Sequence, residues 1–213
     1  MDHYIVLGPA EAVAGRTFAD PEQNPADVAA LRHMLARLRR WLSQPAGAPD
    51  GPRPLILDDP EADGRGHRIV LANPERLRAA GTLALVGFFG RKRPGADPAP
   101  LTAVDDELIG EFHQHPGILS YSSLEGADGN WGNLVVMDSP SAGEHWKTSA
   151  KHVYAARDLA PGYYTTIRLH NGLLPDGLIS GQDLILLRTQ YYDFQGDSPW
   201  RAVREFTSPA SRL

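Results

Sequence analysis

Cysteine is absent from the 213 residues. That excludes a disulfide framework, a thiolate nucleophile, zinc–thiolate sites and iron–sulfur clusters. Positive charge is scarce: 26 acidic against 21 basic residues leave a formal charge of −5. A general nucleic-acid binder needs a basic face to neutralise phosphates, so that class is set aside. The basic cluster Arg91-Lys92-Arg93 stands beside a Pro-Gly turn and reads as a solvated loop. Long apolar runs are missing too. The longest, around "LALVGFF", falls far short of the ~20 residues a membrane helix needs. The start, "MDHYIVLGPAEAVAG", has no basic region before its apolar run and does not read as a secretory signal. A cytoplasmic protein is expected. There is no Gly-x-Gly-x-x-Gly, no Walker loop and no Gly-x-Ser-x-Gly.

What remains is ordinary for a globular chain, with 42% apolar and 22% charged residues, long enough for one large domain or two small ones. His3 to Leu7 reads as a strand. "NPADVAALRHMLARLRRWLSQ" is a helix, with Asn24 as cap, Pro25 at its first position and a stripe of Val28, Leu31, Leu35, Leu38 and Leu42. Its arginines and His33 lie off that stripe and read as surface. Residues 44–66 form a Pro-, Gly- and Asp-rich linker around the strand "PLIL". "DDPEADGRGHRI" has part of a calcium-loop register, but Val70 stands where the closing Glu belongs, so it reads as an acidic turn.

From Thr82 the pattern is regular. "TLALVGFF" lacks polar alternation and should be buried on both faces. "LTAVDDELIGEFHQH" is helical, with Val104, Leu108 and Phe112 spaced by four and His113 and His115 at its end. "ILSYSSLE" and "WGNLVVMD", joined by the Asp-Gly turn "GADGN", make a hairpin. A helix starts at Ser141, with Glu144 at capping-box spacing, and runs to about Asp158. "YYTTIRLH" and "DLILLRTQYYDF" are strands, and the tail holds one short helix. Strand, helix, strand, strand, helix, strand is the split βαβ order of a ferredoxin-like domain. The expected division is 1–81, 82–195 and 196–213. The first segment is either a degenerate half of the same kind or an added lid.

The chemistry-bearing stretch is "SAGEHWKTSAKHVYAARDLAPGYYTTIRLHNG". On one continuous helix Trp146, Ala150 and Val153 share a stripe. His145, Ser149, His152 and Ala156 share a second, about 100° around. Two histidines seven residues apart lie about 10 Å apart along the axis, too far to share one metal. On the following strand Tyr164, Thr166, Arg168 and His170 take one face. A guanidinium on a central strand needs a partner, so this face lines a cavity, meets an interface or is solvated.

The segments "LALVGFF", "GILSYSSLEG", "GNLVVMDSPSAGEHW" and "YYTTIRLHNG" together resemble the dimeric α/β-barrel superfamily. The likeness is to antibiotic-biosynthesis-monooxygenase-like proteins and their haem-binding relatives, the chlorite dismutase and aldoxime dehydratase groups. It covers about half of the chain and is one of topology. It implies an α+β fold, a ferredoxin-like dimeric α/β barrel with an antiparallel sheet and helices on one face, in which two sheets pack face to face, either from the two subunits of a homodimer or from two half-repeats of one chain. It further implies an oxidoreductase acting on a small organic molecule, haem-dependent or working as a cofactor-free monooxygenase. With haem, His152 is the first candidate for the iron-ligating histidine and His145 the second candidate for the same role, Arg157 and Arg168 pair with propionates, and Trp146 is a pocket wall. Without haem, His152, His170 and Tyr164 are the acid–base groups, with Arg168 to steer the substrate. The competing reading is a non-catalytic ligand-binding or assembly dimer, in which Arg168 and His170 bridge the subunits.

Overall fold

The computed structural model describes residues 4–43 and 54–206. The first half of the expected linker and the end of the tail lie outside the described residues. Nine strands form one open sheet: β1 (Ile5–Leu7), β2 (Leu55–Asp58), β3 (His67–Leu71), β4 (Leu83–Lys92), β5 (Ile118–Glu125), β6 (Trp131–Met137), β7 (Tyr164–Leu174), β8 (Ile185–Asp193) and β9 (Trp200–Glu205). Their order across the sheet is β1-β9-β8-β7-β4-β6-β5-β3-β2, antiparallel except for β1 beside β9. The helices are α1 (Asn24–Ser43), α2 (Pro74–Ala79), α3 (Ala99–Gly110), α4 (Pro140–Trp146), α5 (Ala150–Tyr154) and α6 (Ala160–Tyr163).

The central strands β7-β4-β6-β5 carry the split βαβ order, with α3 and the α4–α6 run as crossovers. β4 is central and buried on both faces, as its unbroken apolar run requires. Leu83 and Leu85 join the core on one face, Ala84 and Val86 the core on the other.

The sheet is not closed into a barrel, and its helices do not all lie on one face. α1 covers the face opposite α3. Its Leu31, Met34, Leu35, Leu38 and Leu42 pack on Ile69, Leu83, Leu134 and Val136. Each such side chain contributes about 1.5–3 kcal/mol by leaving water. Gly87 lets the helix come this close, since a Cβ there would lie 2.8 Å from Leu31 Cδ2. The face on which a barrel would receive a second sheet is thus filled from within the chain.

Four local readings are corrected. Asn24 is no cap: its φ of −61° and ψ of −39° are helical, and it continues a 3₁₀ turn over Pro21–Gln23. The helix expected from Ser141 starts one residue sooner, capped by Ser139, whose Oγ accepts from the Ala142 N–H with Pro140 at the first position. Glu144 closes no capping box and pairs with Lys147 at 2.6 Å. That helix is also not continuous. Thr148 Oγ1 donates to the His145 carbonyl at 2.7 Å, and Ser149 Oγ accepts from the His152 N–H and starts α5. Side-chain bonds of this kind compete with the helical ladder. A π turn over Ala155–Leu159 follows, next to Pro161, which has no N–H to continue an α ladder. Finally, the tail forms β9 and not a helix, because its inward residues Ala202 and Arg204 recur at period two.

Arg204 is fully buried, and its guanidinium donates to the carbonyls of Gly8, Glu11 (2.7 Å) and Ala19 (2.9 Å). It thereby holds the segment after β1 against the sheet. His113, just past the end of α3, bonds through Nδ1 to the Gly110 carbonyl at 2.9 Å. No helix among the described residues is long and apolar enough to cross a membrane.

Candidate functional site

Between the sheet and the α3, α5 and α6 helices lies a cavity of about 600 Å³. That is within the usual range for small-molecule sites, about 300–1,000 Å³. Strand alternation decides its floor. Arg68 pairs with Ser123 and Val70 with Tyr121 across β3 and β5, so Arg68, Ser123 and Tyr121 point into it. Ser120 and Ser122 point to the α1 face, where their hydroxyls are buried without a partner. α3 supplies Val104, Asp105 and Leu108, and β4 supplies Phe88. Ala155, Ala156 and Ala160 form a small-residue roof. Trp131 stands 42% exposed on the wall.

The polar part is a short chain of bonds. Asp105 is in close contact with the Arg68 guanidinium and accepts from Tyr121 Oη at 2.8 Å. Arg68 also reaches Asp106 at 3.1 Å. Burial pushes the Asp105 carboxyl up from its ordinary range and outweighs the pull of Arg68 and Tyr121. Burial, followed by the Asp105 charge, pushes the Tyr121 hydroxyl up, so it remains a donor.

His152 also lies on the wall, its ring 5.0 Å from that of Trp146. Neither ring nitrogen has a hydrogen-bond partner among the described residues. Burial pushes its imidazolium down, helped by the charges of Lys147 and His115, so the ring is neutral at neutral pH. Trp146 packs between His152 and Phe112 and is not itself on the wall. Tyr164 is on the wall against Phe88, its ring over Gly90, where a Cβ would come within 2.4 Å. Burial pushes its hydroxyl up, with Tyr163 and Asp105 adding to the effect.

The remaining sequence candidates lie elsewhere. His145 is exposed and faces His115, ring to ring at 5.6 Å, because the break after α4 separates its register from that of His152. Arg157 is exposed on the π turn, outside the cavity wall. Arg168 and His170 point to the α1 face. The ladder steps from Arg91↔Thr166 to Lys92↔Tyr164, which leaves Thr165 as an extra residue and sends Tyr164 to the opposite face. Arg168 binds Asp27 of α1 through two bonds, Nε–Oδ2 at 2.5 Å and NH2–Oδ1 at 2.8 Å. His170 donates from Nε2 to Asp27 at 2.7 Å and meets Thr189 through Nδ1 at 2.8 Å. Both are therefore engaged within the chain.

Arg68, Asp105 and Trp131 were not singled out by sequence, whereas alternation on "ILSYSSLE" sets Tyr121 and Ser123 on one face as candidate cavity lining. Asp105 carries the available signal: it adjoins Val104 on the apolar stripe of α3, a carboxylate aimed near the sheet.

No family model matches the chain, and no curated protein matches it. Two solved structures share part of its shape. Protein SO0527 from Shewanella oneidensis is 12% identical over 46% of this chain and 94% of its own, with a TM-score of 0.39. An aldoxime dehydratase is 11% identical over 76% of this chain and 43% of its own, with a TM-score of 0.27. At these scores neither likeness carries an argument about activity.

Proposed function

We propose that the chain is an enzyme that takes a small, flat, largely apolar organic molecule into the cavity and acts on it by proton transfer. The observation that carries this is the meeting, on one wall, of His152 with unpartnered ring nitrogens and the Arg68–Asp105–Tyr121 chain. A neutral imidazole accepts a proton from a substrate hydroxyl or acidic C–H. Asp105, with its carboxyl pushed up by burial, exchanges a second proton, and Tyr121 holds its orientation. Phe88, Tyr164 and Trp131 supply aromatic surface for a planar ring. If the substrate is an electron-rich aromatic, its deprotonated form can pass electrons to dioxygen directly, the cofactor-free oxidoreductase chemistry that the sequence resemblance implies.

The wall suits haem only in part. His152 would offer the iron a ring nitrogen. For the propionates, however, the wall holds the carboxylates Asp58 and Asp105, while Arg68 is already held by Asp105 and Asp106, and Arg157 is off the wall. No step is derived through haem.

The test is a thermal-shift and Trp-fluorescence screen of phenols, quinols and planar heterocycles, with dioxygen uptake followed for each binder. Binding and turnover lost in both His152→Ala and Asp105→Asn, with the fold intact by circular dichroism, is the expected result. Undiminished turnover in both variants would overturn it. Hemin titration separates the neighbouring reading: a Soret shift lost in His152→Ala would replace proton transfer with a haem site.

A further inference from the structure

A second cluster lies on the opposite face of the sheet, where α1 meets the β2–β3 hairpin. His33 comes from α1, Glu61 from the β2–β3 connection and His67 from the start of β3. His33 Nε2 lies 2.8 Å and His67 Nδ1 2.9 Å from the same oxygen, Glu61 Oε1. The three ligand atoms lie within 4.8 Å of one another, and the two rings stand 5.9 Å apart with a 35° tilt. Two imidazole nitrogens and one carboxylate oxygen form a donor set that suits zinc and its neighbours, and three protein ligands leave one coordination position for water.

We propose that His33, Glu61 and His67 bind a divalent ion of the zinc class, and that this ion clamps α1 to the β2–β3 connection. Tetrahedral bonds of about 2.0–2.1 Å place ligand atoms about 3.3 Å apart. The two contacts to Glu61 therefore open by about half an ångström as the ion takes the place of the two hydrogen bonds. His67 has a side chain with no solvent exposure, and its Nε2 is buried without a partner among the described residues. With the ion on Nδ1 the single proton of the neutral ring stands on Nε2, so binding selects that tautomer. His33 is 43% exposed at its side chain and gives the ion a path from solvent. Arg37 bonds Asp59 at 2.9 Å and, at 3.0 Å, the same Glu61 Oε1 that would ligate the ion. It holds the carboxylate in place and competes with the ion for that oxygen. Its positive charge weakens binding, and Asp59 offsets part of that. The acids that gave the turn its partial calcium register are otherwise engaged: Asp59 with Arg37 and Arg40, and Asp63 with Arg65.

The test uses the full chain stripped with chelator, then dialysed against Zn²⁺ or Co²⁺. Wild type is expected to retain one equivalent, to give the visible absorption of tetrahedral cobalt, and to melt at a higher temperature with Zn²⁺ present. His33→Ala, at an exposed position that the fold tolerates, and Glu61→Gln are each expected to weaken binding at least tenfold and to abolish the thermal gain. His145→Ala, in the other histidine pair, is expected to leave binding unchanged. Less than one retained equivalent in wild type, binding undiminished in His33→Ala, or binding lost in His145→Ala would each overturn the proposal.

Discussion

Asp27→Ala tests how α1 is joined to the sheet. Asp27 is 4% exposed and accepts two bonds from Arg168 and one from His170. Removing one partner of a buried ion pair typically costs 3–5 kcal/mol, because the other charge is left uncompensated. Arg168 keeps 20% of its side chain in contact with solvent and recovers some hydration, which lowers the figure. His170 is 1% exposed and recovers none. The balance is about 3 kcal/mol, or roughly 6–12 °C in Tm for a chain of this size. The pH dependence gives a second reading. Burial raises the Asp27 carboxyl, but the bonds from His170 and Arg168 outweigh it and hold the group below its ordinary 3.8. A carboxyl depressed on folding adds stability that is fully present above its unfolded value and is lost as pH falls through its folded value. The wild-type Tm should therefore fall more steeply than the variant's as pH drops through 4 toward 2, with the gap between them narrowing. Differential scanning calorimetry of both proteins from pH 7 downward measures this. A Tm difference under ~2 °C at pH 7, or a gap that stays constant into acid, would refute the account. The double variant with Arg168→Ala should lose less than the sum of the single losses, because the two share one interaction.

Three further outcomes are expected. Gly87→Val should destabilise by about 1–3 kcal/mol in urea unfolding, since its Cβ would meet Leu31 Cδ2 at 2.8 Å, and Leu31→Ala should recover part of the loss. Arg204→Met keeps the bulk but strands the Glu11 and Ala19 carbonyls, so hydrogen exchange and proteolysis between Gly8 and Ala19 should accelerate at least tenfold. Because burial pushes the His152 imidazolium below its ordinary 6.5, ligand binding that requires the neutral ring should hold down to pH 6.5 and decline only below it. A midpoint above 6.5 in fluorescence titrations would count against the neutral imidazole as acceptor.

The elements read best from sequence are those whose own periodicity decides them. The leucine stripe of α1 and the run "ILSYSSLE", which coincides with β5 at Ile118–Glu125, are of this kind. β3 and α2 went unread because "HRIVLANPERLRAA" is short, mixes charge with apolar residues and carries a Pro. The stripe of Trp146, Ala150 and Val153 continues in sequence across a break that only the side-chain bonds of Thr148 and Ser149 create. The candidate site was half legible for a similar reason. Alternation on β7 groups Tyr164 with Arg168 and His170, and the extra residue at Thr165 separates them. Such a bulge depends on the register with β4 and leaves no mark in the strand's own sequence.

One long-range contact was nonetheless written twice in the sequence. Asp27 stands four residues before Leu31 on the apolar stripe of α1, so a carboxylate there must leave water with the leucines. Arg168 and His170 share a face of a central strand, so a guanidinium and an imidazole must leave water as well. Each feature alone is an anomaly in a buried surface. Together they require each other, and the acid on the stripe meets the guanidinium and the imidazole on the strand at 2.5 and 2.7 Å. The polar strand face that suggested a cavity or a subunit interface is therefore the seat of the chain's own N-terminal helix. The same pairing explains why the sheet does not present that face to a second subunit. α1 fills it with leucines along most of its length and neutralises its charges at the helix N-terminus, which leaves the opposite face, with His152 and Asp105, as the side with space for a ligand.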